Sequence, residues 1–477
     1  MDSLFSQLVK YGESDRYPCH MPGHKRNGMG ELPRELAGID ITEIDGFDNL
    51  HQPEDLFRRL QEKAAALYGA EESFYLVNGS TCGILSAISA TVGPGETLLM
   101  DRGCHKAVYH SVYLRGLQAA YIPSGIVAGY GIREATTPEA VESALRKNPQ
   151  ARAVLIVSPT YEGRIADVGA IADIVHKRGI PLIVDEAHGA HLGFEEHFAP
   201  NSCRLGADLV IHSTHKTLPA LTQTALLHVN GALVDRDLLR RFLRIYQTSS
   251  PSYVLMASID NALSLCEREG KQLFGEFYSR YAEMTQQLRQ CKRLRFLPQD
   301  GKRQDIGKLV IFAGDSGLSG REIYDILREK YNLQLEMAAG DYCLAMFTVG
   351  DTREGYKRMT QALLELDAEM VREDHKATGE IGRAADADRG TISPPDPEVV
   401  IPLAKAWDCK AELVSLDASR DRICAEFVNL YPPGVPLLVP GERISAQMPE
   451  YLESLRQAGL DVQGITEGET AQIRVLC

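Results

Sequence analysis

The chain has 477 residues, too long for one average domain, so about two or three domains are expected. Its 44% hydrophobic and 24% charged residues are ordinary for a globular enzyme. The net charge of −14 argues against nucleic acid as a main partner and is compatible with a cationic substrate. No apolar run has membrane-spanning length, and no secretory signal precedes the ten scattered cysteines. We therefore expect a cytoplasmic protein with reduced thiols and no membrane partner.

The first half of the chain alternates between helical and strand patterns. Residues 1–49 look irregular, and apolar residues at helical spacing then predict a helix over residues 54–68. This alternation predicts an α/β fold with a mostly parallel central sheet, helices on both faces and ligands at the carboxyl ends of the strands. The predicted strands are residues 73–77, 97–100, 119–122, 153–157 and 181–184, and the predicted helices are 83–92, 105–114, 138–147 and 166–178.

The second half predicts smaller α/β units. Strands are expected at residues 209–212, 225–229, 308–312 and 343–348, and helices at 252–288, 320–330 and 352–371. No internal repeat is present. The predicted organisation is an N-terminal segment 1–50, a large domain 51–250, a small α/β domain 251–373, a Pro/Gly-bearing linker 374–396 and a C-terminal domain 397–477.

Two strand ends carry residues suited to one cofactor. Asp185 follows the strand 181–184, and Lys216 lies in a polar loop after the strand 209–212. Pyridoxal phosphate needs an amine for a Schiff base and a carboxylate that keeps its pyridine nitrogen protonated. Lys216 would then be the covalent anchor, and Asp185 would make the ring an electron sink. A strand that ends in Asp-Glu is common, and the lysine segment alone is also compatible with a solvated loop.

A small-residue segment, Asn-Gly-Ser-Thr-Cys-Gly at residues 78–83, lies between a predicted strand and a predicted helix. Free backbone N–H groups and the dipole at a helix N-terminus bind anions. An ordinary helix cap by Ser80 explains the segment equally well when it is considered alone. With Lys216 downstream, a phosphate site is the better explanation, and Ser213 and His215 are candidates for further phosphate contacts.

Four more residues are candidate contacts of the ring. His105 follows the next strand and would stack on one ring face, although a solvent-exposed position near a helix cap is the simpler interpretation of it alone. Ala187 is small enough to lie against the opposite face. His188 would touch the Schiff base or the substrate carboxylate, and Thr160 would bond the phenolic oxygen.

The segment Ser-Thr-His-Lys-Thr-Leu-Pro-Ala-Leu-Thr-Gln at residues 213–223 resembles the signature around the cofactor lysine of the Orn/Lys/Arg decarboxylases. These are fold-type-I pyridoxal phosphate enzymes. The resemblance spans almost the whole chain. Its other matches are Pro-Gly-His-Lys at 22–25, Asn-Gly-Ser-Thr at 78–81, Asp-Glu-Ala-His-Gly at 185–189, Ser-Ser-Pro-Ser-Tyr at 249–253, Tyr-Pro-Pro-Gly at 431–434 and Pro-Gly-Glu at 440–442.

The resemblance implies specific roles. Lys216 carries the internal aldimine, Asp185 pairs with the pyridine nitrogen and His105 stacks on the ring. The large members of the family carry an N-terminal response-regulator-like domain that builds decamers. This chain starts almost directly at the Pro-Gly-His-Lys segment, so a homodimer or a dimer-based assembly is expected instead. Residues 379–402 match the family poorly, and their fold and role stay open. The residues implied to hold phosphate are Ser80, Thr81, Ser213 and His215.

The active sites of such enzymes lie between subunits, and the segment 249–253 is of the kind that reaches a neighbour's phosphate. The favoured activity is decarboxylation of a basic amino acid in polyamine biosynthesis. Arginine is the first choice of substrate and lysine or ornithine the next, by analogy with short bacterial members. The cationic end of the substrate needs an acidic partner, for which Glu442 is a candidate by motif and Asp341 by position. No metal site is predicted.

An aminotransferase or lyase of the same fold is the alternative. Transaminases commonly clamp the substrate carboxylate with an arginine on a strand of the small domain. The strand predicted at residues 343–348 contains no arginine, and the nearest, Arg353, lies beyond it. A non-catalytic regulator would not need an intact lysine, aspartate and phosphate segment. Decarboxylation is therefore favoured.

Overall fold

The computed structural model describes residues 3–299, 301–314, 316–377, 398–431, 435–457, 460–466 and 470–477. The chain forms two compact units that interleave along the sequence. The first contains residues 1–100, 136–159 and 166–275, and the second contains 101–135, 160–165 and 276–477. The domain boundaries expected from the sequence stay predictions.

Helices and strands alternate through the first unit and recur in the second. The helices are α1 Leu4–Gly12, α2 Arg34–Ile39, α3 Leu56–Tyr68, α4 Gly79–Thr91, α5 Lys106–Arg115, α6 Pro138–Lys147, α7 Val168–His176, α8 Thr214–Thr217, α9 Arg236–Tyr246, α10 Tyr253–Leu288, α11 Gly320–Tyr331, α12 Arg353–Ala377, α13 Leu403–Ala406 and α14 Met448–Gln457. The strands are β1 Glu72–Leu76, β2 Thr97–Asp101, β3 Gln118–Ile122, β4 Ala151–Val157, β5 Leu182–Asp185, β6 Leu209–His212, β7 Ala225–Val229, β8 Arg295–Phe296, β9 Lys308–Phe312, β10 Met337–Ala338, β11 Tyr342–Met346, β12 Glu398–Val399, β13 Ala411–Ser415, β14 Val428–Tyr431, β15 Val435–Leu438, β16 Glu442–Arg443, β17 Asp461–Gln463, β18 Ile465–Thr466 and β19 Gln472–Leu476.

The sheet of the first unit has the strand order β1-β7-β6-β5-β4-β2. The pairs β2–β4, β4–β5 and β5–β6 are parallel, and β7 runs antiparallel to both of its neighbours. Val157, Asp185 and Ile211 lie in register, so the carboxyl ends of β4, β5 and β6 meet at one edge. The predicted α/β fold with a mostly parallel sheet is confirmed.

Helix α4 packs directly on the strands of this sheet. A Cβ atom at Gly83 would lie 2.7 Å from Leu76 Cδ1 and 3.2 Å from Ile211 Cγ2. A side chain at this position would force Leu76 and Ile211 to shift, so glycine favours this close approach. The close packing fixes the start of α4 near the end of β6.

Three local predictions were wrong. Residues 1–49 contain α1 and α2, because Ser3 caps α1 and the pair Leu4 and Leu8 buries one face of this short helix. Helix α4 begins at Gly79 rather than residue 83, because a positive φ of 72° at Gly79 turns the chain sharply out of β1. The polar loop expected around Lys216 is the single helical turn α8.

The second unit contains the predicted small α/β element, a sheet ordered β10-β11-β9-β8 with α11 packed on β11. The C-terminal part builds three small sheets, β12-β16, β13-β19-β18 and β15-β14-β17. Cys424, Val428, Leu438 and Ile473 belong to a hydrophobic core of its own. Residues 374–377 of the expected linker form the end of α12, whereas residues 378–396 and Pro432, Pro433 and Gly434 lie outside the described residues.

Candidate active site

Lys216 and His188 lie together at the carboxyl edge of the first unit's sheet. Strand β5 ends at Asp185, three residues before His188, and β6 leads into α8, which carries Lys216. Lys216 Nζ is 3.0 Å from His188 Nε2. His188 is 7% exposed and Lys216 is half-buried. An amine at this position, next to a group that accepts or donates a proton, has the arrangement that nucleophilic lysine chemistry requires.

Asp185 is a buried carboxylate at the same edge, 4% exposed. Its Oδ1 accepts a hydrogen bond of 3.2 Å from the Ala187 N–H. Burial raises the pKa of Asp185 above its usual value, although the Lys216 ammonium and the Ala187 N–H act in the opposite direction. A second cation against this carboxylate would offset the cost of burial. The protonated nitrogen of a pyridinium ring is such a cation.

The phosphate candidates lie at the start of α4 and beside α8. Asn78 is the helix cap, so Ser80 and Thr81 lie within the first turn, whose N–H groups have no partner in the helix. Thr81 is exposed and Ser80 is half-buried. Ser213 Oγ is fully buried and has no hydrogen-bond partner among the described residues. A buried hydroxyl without a partner is costly, and a phosphate oxygen would satisfy it.

His215 uses one ring nitrogen within the protein. Its Nδ1 lies 2.9 Å from the Thr224 carbonyl oxygen, so Nδ1 carries the proton and donates it. Burial and, to a lesser extent, Lys216 lower the pKa of His215. The remaining Nε2 is therefore an acceptor at neutral pH. A contact with a phosphate anion through Nε2 requires a second proton, which the anion itself would favour.

Two further candidates, His105 and Thr160, belong to the second unit. His105 is exposed and caps α5, with Nδ1 accepting a 3.2 Å hydrogen bond from the Ala107 N–H. Thr160 is half-buried in a tight turn, where its Oγ1 accepts a 3.1 Å bond from the Arg164 N–H. Its hydroxyl proton is not used in that bond. The ring-stacking role of His105 and the hydrogen-bonding role of Thr160 stay predictions.

Glu442, the candidate for the substrate cation, is also in the second unit and is 1% exposed. Arg102 binds both carboxylate oxygens, with 2.9 Å between Nη2 and Oε2. Oε2 also accepts a 2.8 Å hydrogen bond from the Val439 N–H. Asp341 is exposed in the turn between β10 and β11. Glu442 thus already has a cationic partner within its own unit, and its proposed substrate contact stays untested.

Sequence reasoning assigned no role to Arg102, Glu186 or His212. Arg102 directly follows β2, so it lies at a strand end, as Asp185 does. Glu186 and His212 each adjoin a candidate residue in sequence and are hydrogen-bonded to one another at 2.6 Å. A histidine inside an apolar strand was the available signal for His212, and it was not used.

The segment that was expected to reach a neighbouring subunit divides into two parts. Ser249 and Ser250 are exposed. Tyr253 is fully buried, and its hydroxyl donates a hydrogen bond to the Asp48 carbonyl oxygen. Within this segment Ser249 and Ser250 are therefore the most accessible to another chain, and Ser252 is half-buried.

Comparisons with known proteins identify the same family as the motifs. Residues 2–307 match the Orn/Lys/Arg decarboxylase major domain, and residues 397–469 match the C-terminal domain of that family. Arginine decarboxylase of Bacillus subtilis (strain 168) is 31% identical over 99% of this chain and 97% of its own length. Arginine decarboxylase of Bacillus anthracis is 30% identical over the same shares. These matches confirm the predicted family and enzyme class.

A solved structure supports the fold. The Francisella novicida lysine decarboxylase LdcF has a TM-score of 0.82 and 18% identity, covering 100% of this chain and 81% of that chain. At this identity the likeness concerns the fold alone, and it agrees with a fold-type-I enzyme. Among the described residues, no helix combines the length and the apolar character needed to span a membrane.

Proposed function

Because the chain belongs to the Orn/Lys/Arg decarboxylase family, we propose that it decarboxylates L-arginine to the corresponding amine and CO2 with pyridoxal phosphate. The observation that carries this proposal is the cluster of Lys216, His188 and Asp185, with 3.0 Å between Lys216 Nζ and His188 Nε2. Lysine and ornithine are the next candidate substrates.

Each part of the cluster has a role in holding the cofactor. Lys216 anchors it covalently, Asp185 pairs with its ring nitrogen, and Ser213 with the first turn of α4 binds its phosphate. When bound, pyridoxal phosphate supplies a protonated ring that accepts the electron pair left when CO2 departs. His188, beside the anchoring amine, holds a proton at Nε2 or orients the substrate carboxylate.

The preference for arginine rests on the relatives. Two proteins named arginine decarboxylase match this chain over nearly the full length of both partners. The guanidinium of arginine and the ammonium of lysine both need a carboxylate when they are buried. Glu442 stays the candidate, and it would have to share its charge between Arg102 and the substrate.

The proposal includes a homodimer in the cytoplasm. Ser249 and Ser250 are exposed, as residues that complete a neighbour's phosphate site must be. All ten cysteines are free thiols, which agrees with a reducing compartment.

The test is direct. Holoenzyme is incubated separately with arginine, lysine and ornithine, and the products are identified. We expect the amine of arginine, and borohydride reduction should fix the cofactor on Lys216. Lys216→Ala should lose activity by several orders of magnitude, whereas Lys177→Ala, at the exposed end of α7, should behave as wild type. A 2-keto acid product would favour the aminotransferase alternative, and an adduct on another lysine would overturn the assignment of Lys216.

A further inference from the structure

Four polar side chains form a continuous hydrogen-bonded chain across four neighbouring strands of the first unit. Ser73 on β1 is 2.6 Å from His228 on β7, measured from Oγ to Nδ1. His228 Nε2 is 3.0 Å from His212 Nδ1 on β6. His212 Nε2 is 2.6 Å from Oε2 of Glu186, directly after β5. We call this set the polar ladder. Its order is the strand order β1-β7-β6-β5, so it is a property of the sheet.

The polar ladder is closed to solvent, since its members are between 0% and 3% exposed. The Tyr68 ring covers both imidazoles, with centroid distances of 4.7 Å to His212 and 4.6 Å to His228. The Tyr68 hydroxyl donates instead to the Ala190 carbonyl oxygen at 2.7 Å. The described residues around these rings therefore shield the ring nitrogens from water.

The titratable and charged groups around Glu186 belong to several elements. Ser202 donates to Glu186 from its hydroxyl at 2.6 Å and from its backbone N–H at 3.1 Å. Asp185 precedes Glu186 in the chain and interacts with it electrostatically, as does His191. Burial raises the pKa of Cys203 and of Tyr68, and the charge of Glu186 adds to both shifts. Apart from the histidines, none of these groups offers a cation.

When both imidazoles are neutral, the hydrogen bonds permit two proton arrangements, because a neutral imidazole donates from one nitrogen and accepts at the other. If Glu186 is protonated, it donates to His212 Nε2, His212 Nδ1 donates to His228 Nε2, and His228 Nδ1 donates to Ser73 Oγ. If Glu186 is ionised, every one of these donations is reversed. The two states differ by one proton and by opposite tautomers of both histidines.

Burial decides between the two states. A buried carboxylate without a cation is costly, whereas the protonated arrangement contains no charge at all. Burial raises the pKa of Glu186 to about 8, and burial lowers the pKa of His212 to about 3. Both directions favour a neutral carboxyl group and neutral imidazoles at pH 7.

We propose that the polar ladder stores one proton on Glu186, so that the negative charge at this edge of the sheet is confined to Asp185. An ionised Glu186 would repel the charge of Asp185, which the ring nitrogen of the cofactor needs. Glu186 and His212 are then positioning residues that act through Asp185. This inference rests on the proposed function, and its test separates the two.

The first experiment reads the tautomers by ¹⁵N NMR of histidine-labelled holoenzyme. At pH 6.5, His212 and His228 should carry their protons on Nδ1, and above about pH 8.5 on Nε2. In Glu186→Gln the amide donates to His212 at every pH, so the change of tautomer should disappear. Nε2 protons in wild type at pH 6.5 would show an ionised Glu186 and overturn the proposal.

Asp208→Asn is the matched control. Asp208 is a buried carboxylate that contacts His176 Nε2 at 2.8 Å and the Leu182 N–H at 2.8 Å, at the amino ends of β5 and β6. Its removal should leave the tautomers of His212 and His228 and their pH transition unchanged. Loss of the transition in this control as well would reveal a general disturbance of the sheet rather than a stored proton.

The second experiment follows cofactor absorbance and melting temperature against pH. Wild type should show an inflection near pH 8 that Glu186→Gln lacks. Since the folded protein binds the Glu186 proton more tightly than the unfolded chain, the contribution of Glu186 to stability is full below pH 4.5 and falls as pH rises towards 8. As pH rises from 4.5 to 8, the melting temperature of wild type should therefore fall relative to that of Glu186→Gln. Superimposable pH profiles would refute the stored proton even if the amine forms, whereas tautomer exchange without any amine would refute only the proposed function.

Discussion

Asp185 in the first unit and Glu442 in the second are both buried carboxylates, but the chain neutralises them differently. Glu442 receives two hydrogen bonds from Arg102 and one from Val439. Asp185 receives one N–H bond from Ala187 and the more distant attraction of Lys216, and burial raises its pKa. The charge of Glu442 is therefore balanced within the chain, and a substrate cation would have to share it with Arg102. Asp185 receives fewer contacts from the chain, so a cationic group of a ligand would lower the cost of its burial.

The largest expected effect separates the two carboxylates by their chemistry. Asp185→Asn should fold and bind cofactor but lose about 10²- to 10³-fold in kcat, because the ring nitrogen loses the charge that keeps it protonated. Glu442→Gln should instead raise the KM for the basic amino acid more than it alters the cofactor spectrum. Steady-state kinetics and absorbance measure both. Near-wild-type turnover in Asp185→Asn would mean that another group protonates the ring.

The next largest effect is on the free energy of unfolding, through the ion pair between Glu442 and Arg102. Arg102→Met leaves Glu442 buried without its cation, which should lower the free energy of unfolding by about 3–5 kcal/mol. Arg152→Met is the control, because its ion pair with Glu96 is largely exposed and should contribute less than about 1 kcal/mol. Urea unfolding measures both variants. Equal losses would indicate that Glu442 is not held by Arg102 as described.

Acid should remove the contribution of His212 to stability, whereas uptake of the proton by Glu186 acts in the opposite direction. Burial lowers the pKa of His212 to about 3, below its usual 6.5, so the unfolded chain binds a proton that the folded protein does not bind. The contribution of His212 is therefore present above pH 6.5 and is lost as pH falls towards 3, by about 2 kcal/mol between pH 7.5 and pH 5. In Glu186→Gln, which lacks the opposite contribution, urea unfolding should give a lower free energy of unfolding at pH 5 than at pH 7.5. Adding His212→Asn to that variant should reduce the difference, and an identical difference would exclude His212 as the source.

The smallest effect compares two buried serines, Ser213, whose hydroxyl has no hydrogen-bond partner among the described residues, and Ser202, whose hydroxyl donates to Glu186. Ser213 Oγ has no partner among the described residues, so Ser213→Ala should change the stability of the cofactor-free protein by less than about 0.5 kcal/mol. Its affinity for pyridoxal phosphate should fall about tenfold, the equivalent of one hydrogen bond to a charged group. Ser202→Ala is the control, since Ser202 donates to Glu186 and should affect stability first. If Ser213→Ala lowers the stability of the cofactor-free protein, the Ser213 hydroxyl has a structural role rather than a role in binding the cofactor.

What the sequence predicts depends on how far apart the interacting residues are in the chain. Lys216 and Asp185 were predicted as site residues because Asp185 ends a strand and Lys216 closely follows one, and strand order brings such ends together. The start of α4 was misplaced by four residues, since small residues interrupt the apolar pattern before residue 83. The prediction that residues 1–49 are irregular missed α1, because this helix buries few residues.

Contacts between residues that lie far apart in the chain could not be predicted from the periodicity of the sequence. Glu442 lies 340 residues from Arg102, and nothing near either residue indicates the other. The polar ladder likewise joins Ser73 to His228 over 155 residues and becomes visible only with the antiparallel register of β1 and β7. Periodicity reports which face of a strand is buried, but it does not report which strand lies beside it.

The glycine at position 83 has a consequence for ligand size. It allows α4, whose first turn carries Ser80 and Thr81, to lie against Ile211, which is two residues before Ser213 and five before Lys216. A Cβ atom at position 83 would press on Leu76 and Ile211, and any shift of α4 that relieved this contact would move Ser80 and Thr81 relative to Lys216. If the site binds pyridoxal phosphate as proposed, the helix–sheet contact would therefore help to determine how long an aldehyde must be to reach both ends.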